Sequence, residues 1–280
     1  MATPLTERIE HEHGVVGRHR EAEAILACLS AQRHVLIEGP VGVGKTVLAK
    51  AIAAVLDRGI LRVDGDGRYT EARLVGQFDP PVVLERGYVA EAFLAGPLVQ
   101  AMREGAILFL NELNRMPEGV QNVLLPALDE HRVAVPRYGV VEASPGFRVI
   151  ATQNPAEFVA TGTLSEALRD RFELVRLDYQ TAEDERQIVQ QSTVCSPSAA
   201  LIAHAVDLAR ATRSDPRIRR GASVRAAIAM ADIATELGGD LQRAAELTLP
   251  TRIELLDERG TELSTLLEDL AKKVRRPPGS

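Results

Sequence analysis

Lysine is nearly absent from this chain of 280 residues: only Lys45, Lys50, Lys272 and Lys273 occur, and every other basic side chain is arginine. Tryptophan is missing, aromatics make up 4%, and the two cysteines, Cys28 and Cys195, lie far apart without metal-ligand spacing. Cysteine this sparse excludes a disulfide framework or a zinc knuckle and points to free thiols in a reducing compartment. No apolar run of about 18 residues occurs and no charged-then-apolar leader opens the sequence, so a cytoplasmic protein with no membrane contact is expected. A net charge of −6 argues against a surface that coats nucleic acid, although a local basic channel would survive it. Apolar content of 45% and charged content of 26% are those of an ordinary globular protein.

Against this background one segment stands out. Gly39-Pro40-Val41-Gly42-Val43-Gly44-Lys45-Thr46 fits the pattern G-x-x-x-x-G-K-[ST], follows an apolar strand, His34 to Glu38, and opens an apolar helix, Val47 to Leu56. In that context it is a phosphate-binding loop rather than a glycine-rich turn. The glycines let backbone N–H groups turn inward around a β-phosphate, the helix N-terminus adds its dipole, Lys45 reaches β/γ-oxygens, and the Thr46 hydroxyl can ligate Mg²⁺. A compact ammonium suits this pocket, which gives one of the rare lysines its place.

Up to residue 178 short apolar strands alternate with helices: Val35 to Glu38, Leu61 to Val63, Ile107 to Leu110, Arg148 to Thr152 and Leu174 to Leu177. Continuous apolar runs of this kind predict a parallel sheet covered on both faces. Two stretches break the alternation and predict inserted hairpins, one near 78–98 around Asp79-Pro80-Pro81 and Val82-Val83, the other near 131–147 around Arg137-Tyr138-Gly139. From Thr181 onward only helices are expected: Thr181 to Gln191, Ser198 to Arg213, Val224 to Leu237, Asp240 to Leu256 and Thr261 to Val274, with Gly238-Gly239 and Gly260 as stops. The reading is thus an α/β domain over 1–178 followed by an all-helical domain over 179–280, with Pro277 to Ser280 a frayed tail.

Several further positions carry chemistry. The strand ending in Leu110 runs into Asn111-Glu112, an arrangement in which the first residue orients a water on Mg²⁺ and the second polarises the attacking water. Asn111 can accept a hydrogen bond from a metal-bound water but brings no charge, so weaker metal binding is expected, and Asn111→Asp is expected to tighten the Mg²⁺ dependence. Glu112 is the candidate general base. Asn154 can hydrogen-bond a γ-phosphate or the attacking water, or equally start an Asn-Pro turn. Arg171, with Arg169 as an alternative, lacks an obvious local partner and can act as a finger into a neighbouring subunit's nucleotide, or lie solvated on the surface. Arg225, at the start of a helix of the second domain, can reach back to phosphates. His11-Glu12-His13 is discounted as a chelate because it falls in a segment expected to be flexible. Tyr88 and Tyr138 read either as substrate-gripping residues or as turn aromatics, and Glu183-Asp184-Glu185 as a capped helix start.

In order and spacing these positions resemble the AAA+ ATPases, and in detail the MoxR family. The resemblance runs over roughly residues 14 to 237, through Val15-Val16-Gly17, the phosphate loop, Leu110-Asn111-Glu112-Leu113-Asn114-Arg115, Ala151-Thr152-Gln153-Asn154-Pro155, Ser165 to Phe172 and Gly221-Ala222-Ser223-Val224-Arg225. It implies a P-loop AAA+ parallel sheet flanked by helices with a small all-helical lid. It also implies ATP and Mg²⁺ as cofactors, with Gly39 to Val47 around the phosphates, Thr46 and Asn111 on the metal, and Val16 and Gly17 lining the adenine pocket. Asn154 would be sensor 1, Arg171 the arginine finger and Arg225 sensor 2, while the two hairpins match the helix-2 insert and the pre-sensor-1 hairpin. The family pattern usually has Asp where this chain has Asn111. By resemblance the protein is a ring, expected to be hexameric, that matures or activates a client protein, often a metalloenzyme, with a partner carrying a von Willebrand factor A domain. Two other functions remain: a nucleotide-gated regulatory ring with little turnover, motivated by Asn111, and a nucleic-acid motor, disfavoured by the acidic balance.

Overall fold

The five apolar strands pair side by side in the computed structural model, which describes residues 4–154, 164–257 and 262–275. They are β1 (His34–Glu38), β2 (Ile60–Asp64), β3 (Ile107–Asn111), β4 (Arg148–Gln153) and β5 (Phe172–Arg176). All neighbours run parallel, in the order β2-β3-β4-β1-β5. Residues Ile107 to Leu110 and the whole of β4 are buried, as the centre of a sheet covered on both faces requires. Burial of each such Ile, Leu or Phe is worth roughly 1.5–3 kcal/mol, so these strands anchor the unit. Because the strands are parallel, their C-terminal ends lie along one edge, which gathers the phosphate loop after β1, Asp64, Asn111-Glu112 and Asn154.

The chain divides into two compact units, residues 1–40 with 44–178, and residues 41–43 with 179–280. In the first, tertiary structure departs from sequence expectation at three places. His11 to His13 belong to a helix, Leu5–His13, pinned by buried Ile9, rather than to a flexible segment. The first insertion pairs Gly76–Phe78 with Phe93–Ala95, and Val82-Val83 lie between them in a helix, Pro80–Arg86. Prolines at the first helical positions and Gly87 at φ +75 just past the end explain why a β-branched pair is helical here. The last strand starts two residues earlier than expected, because pairing with β1 sets its register from His34↔Phe172 to Glu38↔Arg176. The second insertion is a hairpin, Arg132–Val135 with Gly139–Glu142.

The second unit carries helices Ala182–Ser192, Ala199–Ser214, Val224–Glu236, Leu241–Thr248 and Leu263–Arg275. It is not wholly helical: Ile218–Arg220 pairs antiparallel with Glu254–Leu255. The expected helix from Asp240 to Leu256 ends at Thr248, since Pro250 has no N–H to continue the ladder. Glu183 to Glu185 do more than start a helix. Thr181 and Asp184 form a capping box, and buried Glu185 pairs with Arg210 at 3.1 Å and Arg213 at 2.7 Å. Gly260 and the tail from Pro277 lie outside the described residues.

One buried group of the first unit makes stability depend on pH. His34 accepts the Val149 N–H on Nδ1 at 3.0 Å and lies against the rings of His131, Phe147 and Phe172. Burial, reinforced by the charge of Arg148, pushes its pKa from 6.5 down to about 4. Above pH 6.5 neither state is protonated; between 6.5 and 4 the unfolded chain takes up a proton that the folded one refuses, so stability falls as pH falls through that window. The loss at about pH 5 is roughly 2 kcal/mol. His34→Gln keeps an acceptor without the titration, and denaturant unfolding at about pH 7.5 and about pH 5 is expected to show a smaller acid loss than in the wild type. Equal losses would place the acid-sensitive group elsewhere.

Candidate functional site

The phosphate loop leaves β1 and turns into the helix Lys45–Val55 through Gly44, whose φ of +92 is a conformation that only glycine adopts without strain. Lys45 opens that helix, and its Nζ donates to the carbonyls of Gly39 at 2.5 Å and Pro40 at 2.8 Å. The loop thus surrounds its own cation, which is the geometry a polyphosphate needs. Val43 is buried, whereas Val47 on the first helical turn is exposed. Before the first strand, Val16 is buried and Gly17 takes φ +63. The next residue, Arg18, is buried and holds this turn in place, donating to Glu21 at 2.8 Å and to the Asp178 carbonyl at 2.6 Å. Nothing local marked Arg18, because its second partner is 160 residues away.

Asn111 is the hub of the sheet edge. Its Oδ1 accepts from the Thr152 hydroxyl at 3.1 Å and from the Thr46 hydroxyl at 3.5 Å, while its Nδ2 donates to Asp64 Oδ1 at 2.8 Å. The same Thr152 oxygen accepts the Glu112 N–H at 2.9 Å. Glu112 sits at φ +58, an uncommon backbone for a residue with a side chain and one found where surroundings over-determine it. Its carboxylate pairs with Arg115 at 3.1 Å. Asp64 is clasped by Arg62, which holds its carboxyl below the usual carboxylate range against partial desolvation. Asn154 is buried directly after β4, and the preceding Gln153 donates to Glu38 at 2.6 Å. Pro155 lies outside the described residues. Sequence reasoning assigned no role to Asp64 or Thr152. The polar residue at the end of each strand was the available signal.

Thr46 and Asn111 bring two hard oxygen donors together at the start of the phosphate-loop helix. That donor set fits Mg²⁺, which keeps several waters and needs few protein oxygens. Among the described residues no group of three or more His, Cys, Asp or Glu is arranged to hold a metal. His11 and His13 are exposed on their helix, and Glu12 between them pairs with Arg8 at 2.8 Å.

Arg171 has a partner 42 residues away: its Nε and Nη2 clasp Asp129 at 2.9 and 2.7 Å, and Nη1 donates to the Ala167 carbonyl. Asp129 raises its pKa further. Arg169 is exposed. In the second unit Arg225 lies exposed on the first turn of the helix Val224–Glu236. Tyr88 and Tyr138 are not bare loop tips. Tyr88 meets Phe78 edge-on at 5.0 Å under the Arg137 guanidinium, Phe78 meets Phe93 at 5.5 Å, and Phe93 meets Tyr138 at 4.4 Å. Arg103 bonds the Tyr138 hydroxyl. These four rings link the two insertions.

The sequence profile of the AAA domain, dynein-related subfamily, matches residues 34–172. An uncharacterized protein of Staphylococcus epidermidis is 30% identical over 239 residues, 83% of this chain and 88% of its own length. Another from Staphylococcus aureus is 29% identical over 238 residues, with the same coverage. Among solved structures, a candidate ATPase from Cytophaga hutchinsonii aligns with a TM-score of 0.53 at 23% identity, over 96% of this chain and 94% of its own. The RuvB Holliday junction branch migration motor of Thermotoga maritima aligns with a TM-score of 0.53 at 20% identity, over 83% of this chain and 70% of its own. At these identities the two structures establish the common fold.

Proposed function

We propose that this chain, which belongs to the AAA family of ATPases and hydrolyses ATP, works as the repeating subunit of a MoxR-type remodelling ring that acts on a client protein. The observation that carries the reading is the union of the two insertions by the rings of Tyr88, Phe78, Phe93 and Tyr138. Packing of this kind offers a rearrangement of the ATPase unit a route to something held outside it. The joined elements also present apolar side chains to solvent, with Leu84 88%, Leu94 52% and Val140 58% exposed, as contact with a protein client requires. Their segments 76–95 and 132–142 carry four acidic against three basic residues, which disfavours a nucleic-acid grip. The client in this reading is a protein, in the MoxR pattern often a metalloenzyme, with a von Willebrand factor A domain partner and a cytoplasmic, hexameric assembly. No helix among the described residues is long and apolar enough to cross a membrane.

Within each site Lys45 and the loop amides hold the ATP phosphates, Thr46 and Asn111 hold Mg²⁺, and Glu112 takes the proton of the attacking water. Asn154 orients that water or the γ-phosphate. Bound Mg²⁺ would supply charge neutralisation at the β/γ-oxygens. Arg171 serves the neighbouring subunit's γ-phosphate. The clasp of Arg171 on Asp129 favours one added feature: an isolated subunit keeps its finger folded on itself and turns over slowly until assembly offers a stronger anion.

Subunit mixing tests the shared site. Arg171→Ala and Lys45→Ala subunits, each inactive alone, are expected to regain ATPase activity when combined, since about a quarter of interfaces in an equimolar ring then carry both an intact pocket and an intact finger. Absence of recovery despite demonstrated co-assembly would confine Arg171 to its ion pair with Asp129. The client is identified by what co-purifies, in the presence of ATP, with a Glu112→Gln ring and is released from the wild type.

A further inference from the structure

A single carboxylate is expected beside Mg²⁺ at the end of β3, and this chain has the neutral Asn111 there. The charge is not missing from the sheet edge. β2 and β3 pair in parallel from Ile60↔Ile107 to Asp64↔Asn111, so Asp64 is the lateral neighbour of Asn111 at the strand ends. Beyond them Gly65 donates its N–H to the Asn111 carbonyl at 2.7 Å, and a Cβ on Gly65 would come within 2.1 Å of the Glu112 carbonyl oxygen. Only glycine permits so close an approach, and beside it the Asp64 carboxylate lies 2.8 Å from the Asn111 amide nitrogen.

We propose that Asp64 is a positioning residue for the metal side of the ATP site, its carboxylate fixing the Asn111 amide so that Oδ1 faces Thr46 and supplying the negative charge that Asn111 lacks. An amide offers an acceptor on one side and donors on the other. With Nδ2 committed to Asp64, Oδ1 is left to the hydroxyls of Thr46 at 3.5 Å and Thr152 at 3.1 Å. A carboxylate accepting from Nδ2 polarises the amide and makes its oxygen a stronger acceptor for a metal-bound water. Arg62 clasps Asp64 through Nε at 3.0 Å and Nη2 at 2.6 Å, which favours this position of a carboxylate that is itself largely exposed. The two residues together then stand where one acidic side chain would do.

The geometry revises the expectation for Asn111→Asp. With Asp64 in place the new carboxylate would lie at contact distance from an existing one, and two like charges at one site disfavour each other. The gain is expected only when Asp64 is neutralised at the same time. The inference rests on Thr46 and Asn111 being the metal side of the pocket, and the experiment separates the two ideas.

The test is equilibrium binding of a fluorescent ATP analogue with Mg²⁺ and with chelator, for wild type, Asp64→Ala, Asp64→Asn, Asn111→Asp and Asp64→Asn/Asn111→Asp, with Lys45→Ala as the control for the pocket. Asp64→Ala and Asp64→Asn are expected to leave binding in chelator unchanged and to reduce the Mg²⁺-dependent gain in affinity by about three- to tenfold, the scale of a partly exposed charge-assisted hydrogen bond. The double variant is expected to restore that gain, so that Asn111→Asp helps far more in the Asp64→Asn background than in the wild type. Equal effects of Asn111→Asp in both backgrounds would overturn the shared charge. An Asp64→Ala protein that loses affinity equally in chelator would reduce Asp64 to a structural role. A wild type with no Mg²⁺-dependent gain, while Lys45→Ala still loses nucleotide affinity, would remove the metal assignment and leave the nucleotide pocket standing.

Discussion

Glu112→Gln is expected to bind ATP with near wild-type affinity and to lose turnover by about 10² to 10⁴, the usual cost of removing a general base. The amide keeps the shape of the carboxylate, and what holds the backbone is untouched: it stays at φ +58 with its N–H on the Thr152 hydroxyl at 2.9 Å. Only the capacity to take a proton is lost, together with the ion pair to Arg115. Steady-state turnover and nucleotide affinity measured on the same preparation separate the two quantities. Turnover surviving within about threefold would show that another residue orients the water.

Lys45→Ala attacks the opposite property and is expected to lose nucleotide affinity by about 10- to 150-fold, equivalent to roughly 1.5–3 kcal/mol for a charge-assisted contact in a partly desolvated pocket. The loop carbonyls of Gly39 and Pro40 that now accept from its Nζ would then face the phosphates with no cation between them. Lys45→Arg is expected to fail as well, because a planar guanidinium fork is larger and presents its charge differently from a compact ammonium. Titration with a fluorescent nucleotide checks both, and near-unchanged affinity in the alanine variant would end the assignment of this loop. The chain meets nearly every other need for a cation with arginine, which makes the loss specific to this position.

Features confined to a few consecutive residues were legible before any fold was known. The phosphate loop needs two glycines, a lysine and a hydroxyl within eight positions, and the central strands declare themselves as unbroken apolar runs. Their order of reading, strand then loop then helix, already placed Lys45 and Thr46 at a helix start, and the same logic put Glu112 and Asn154 at strand ends. Local rules failed where two of them competed: Val82-Val83 favour a strand, but Pro80-Pro81 before them and Gly87 after them make a helix. What no local rule could supply is pairing across distance. Arg171 meets Asp129 from 42 positions away, Arg18 meets the Asp178 carbonyl from 160, and Asp64 meets Asn111 from 47. Backbone preference and burial pattern act over one or two turns or a single strand and are written in neighbouring residues. Which strand lies beside which, and in what register, emerges only when the whole sheet closes its core, and that step alone decided which charge stands beside Asn111.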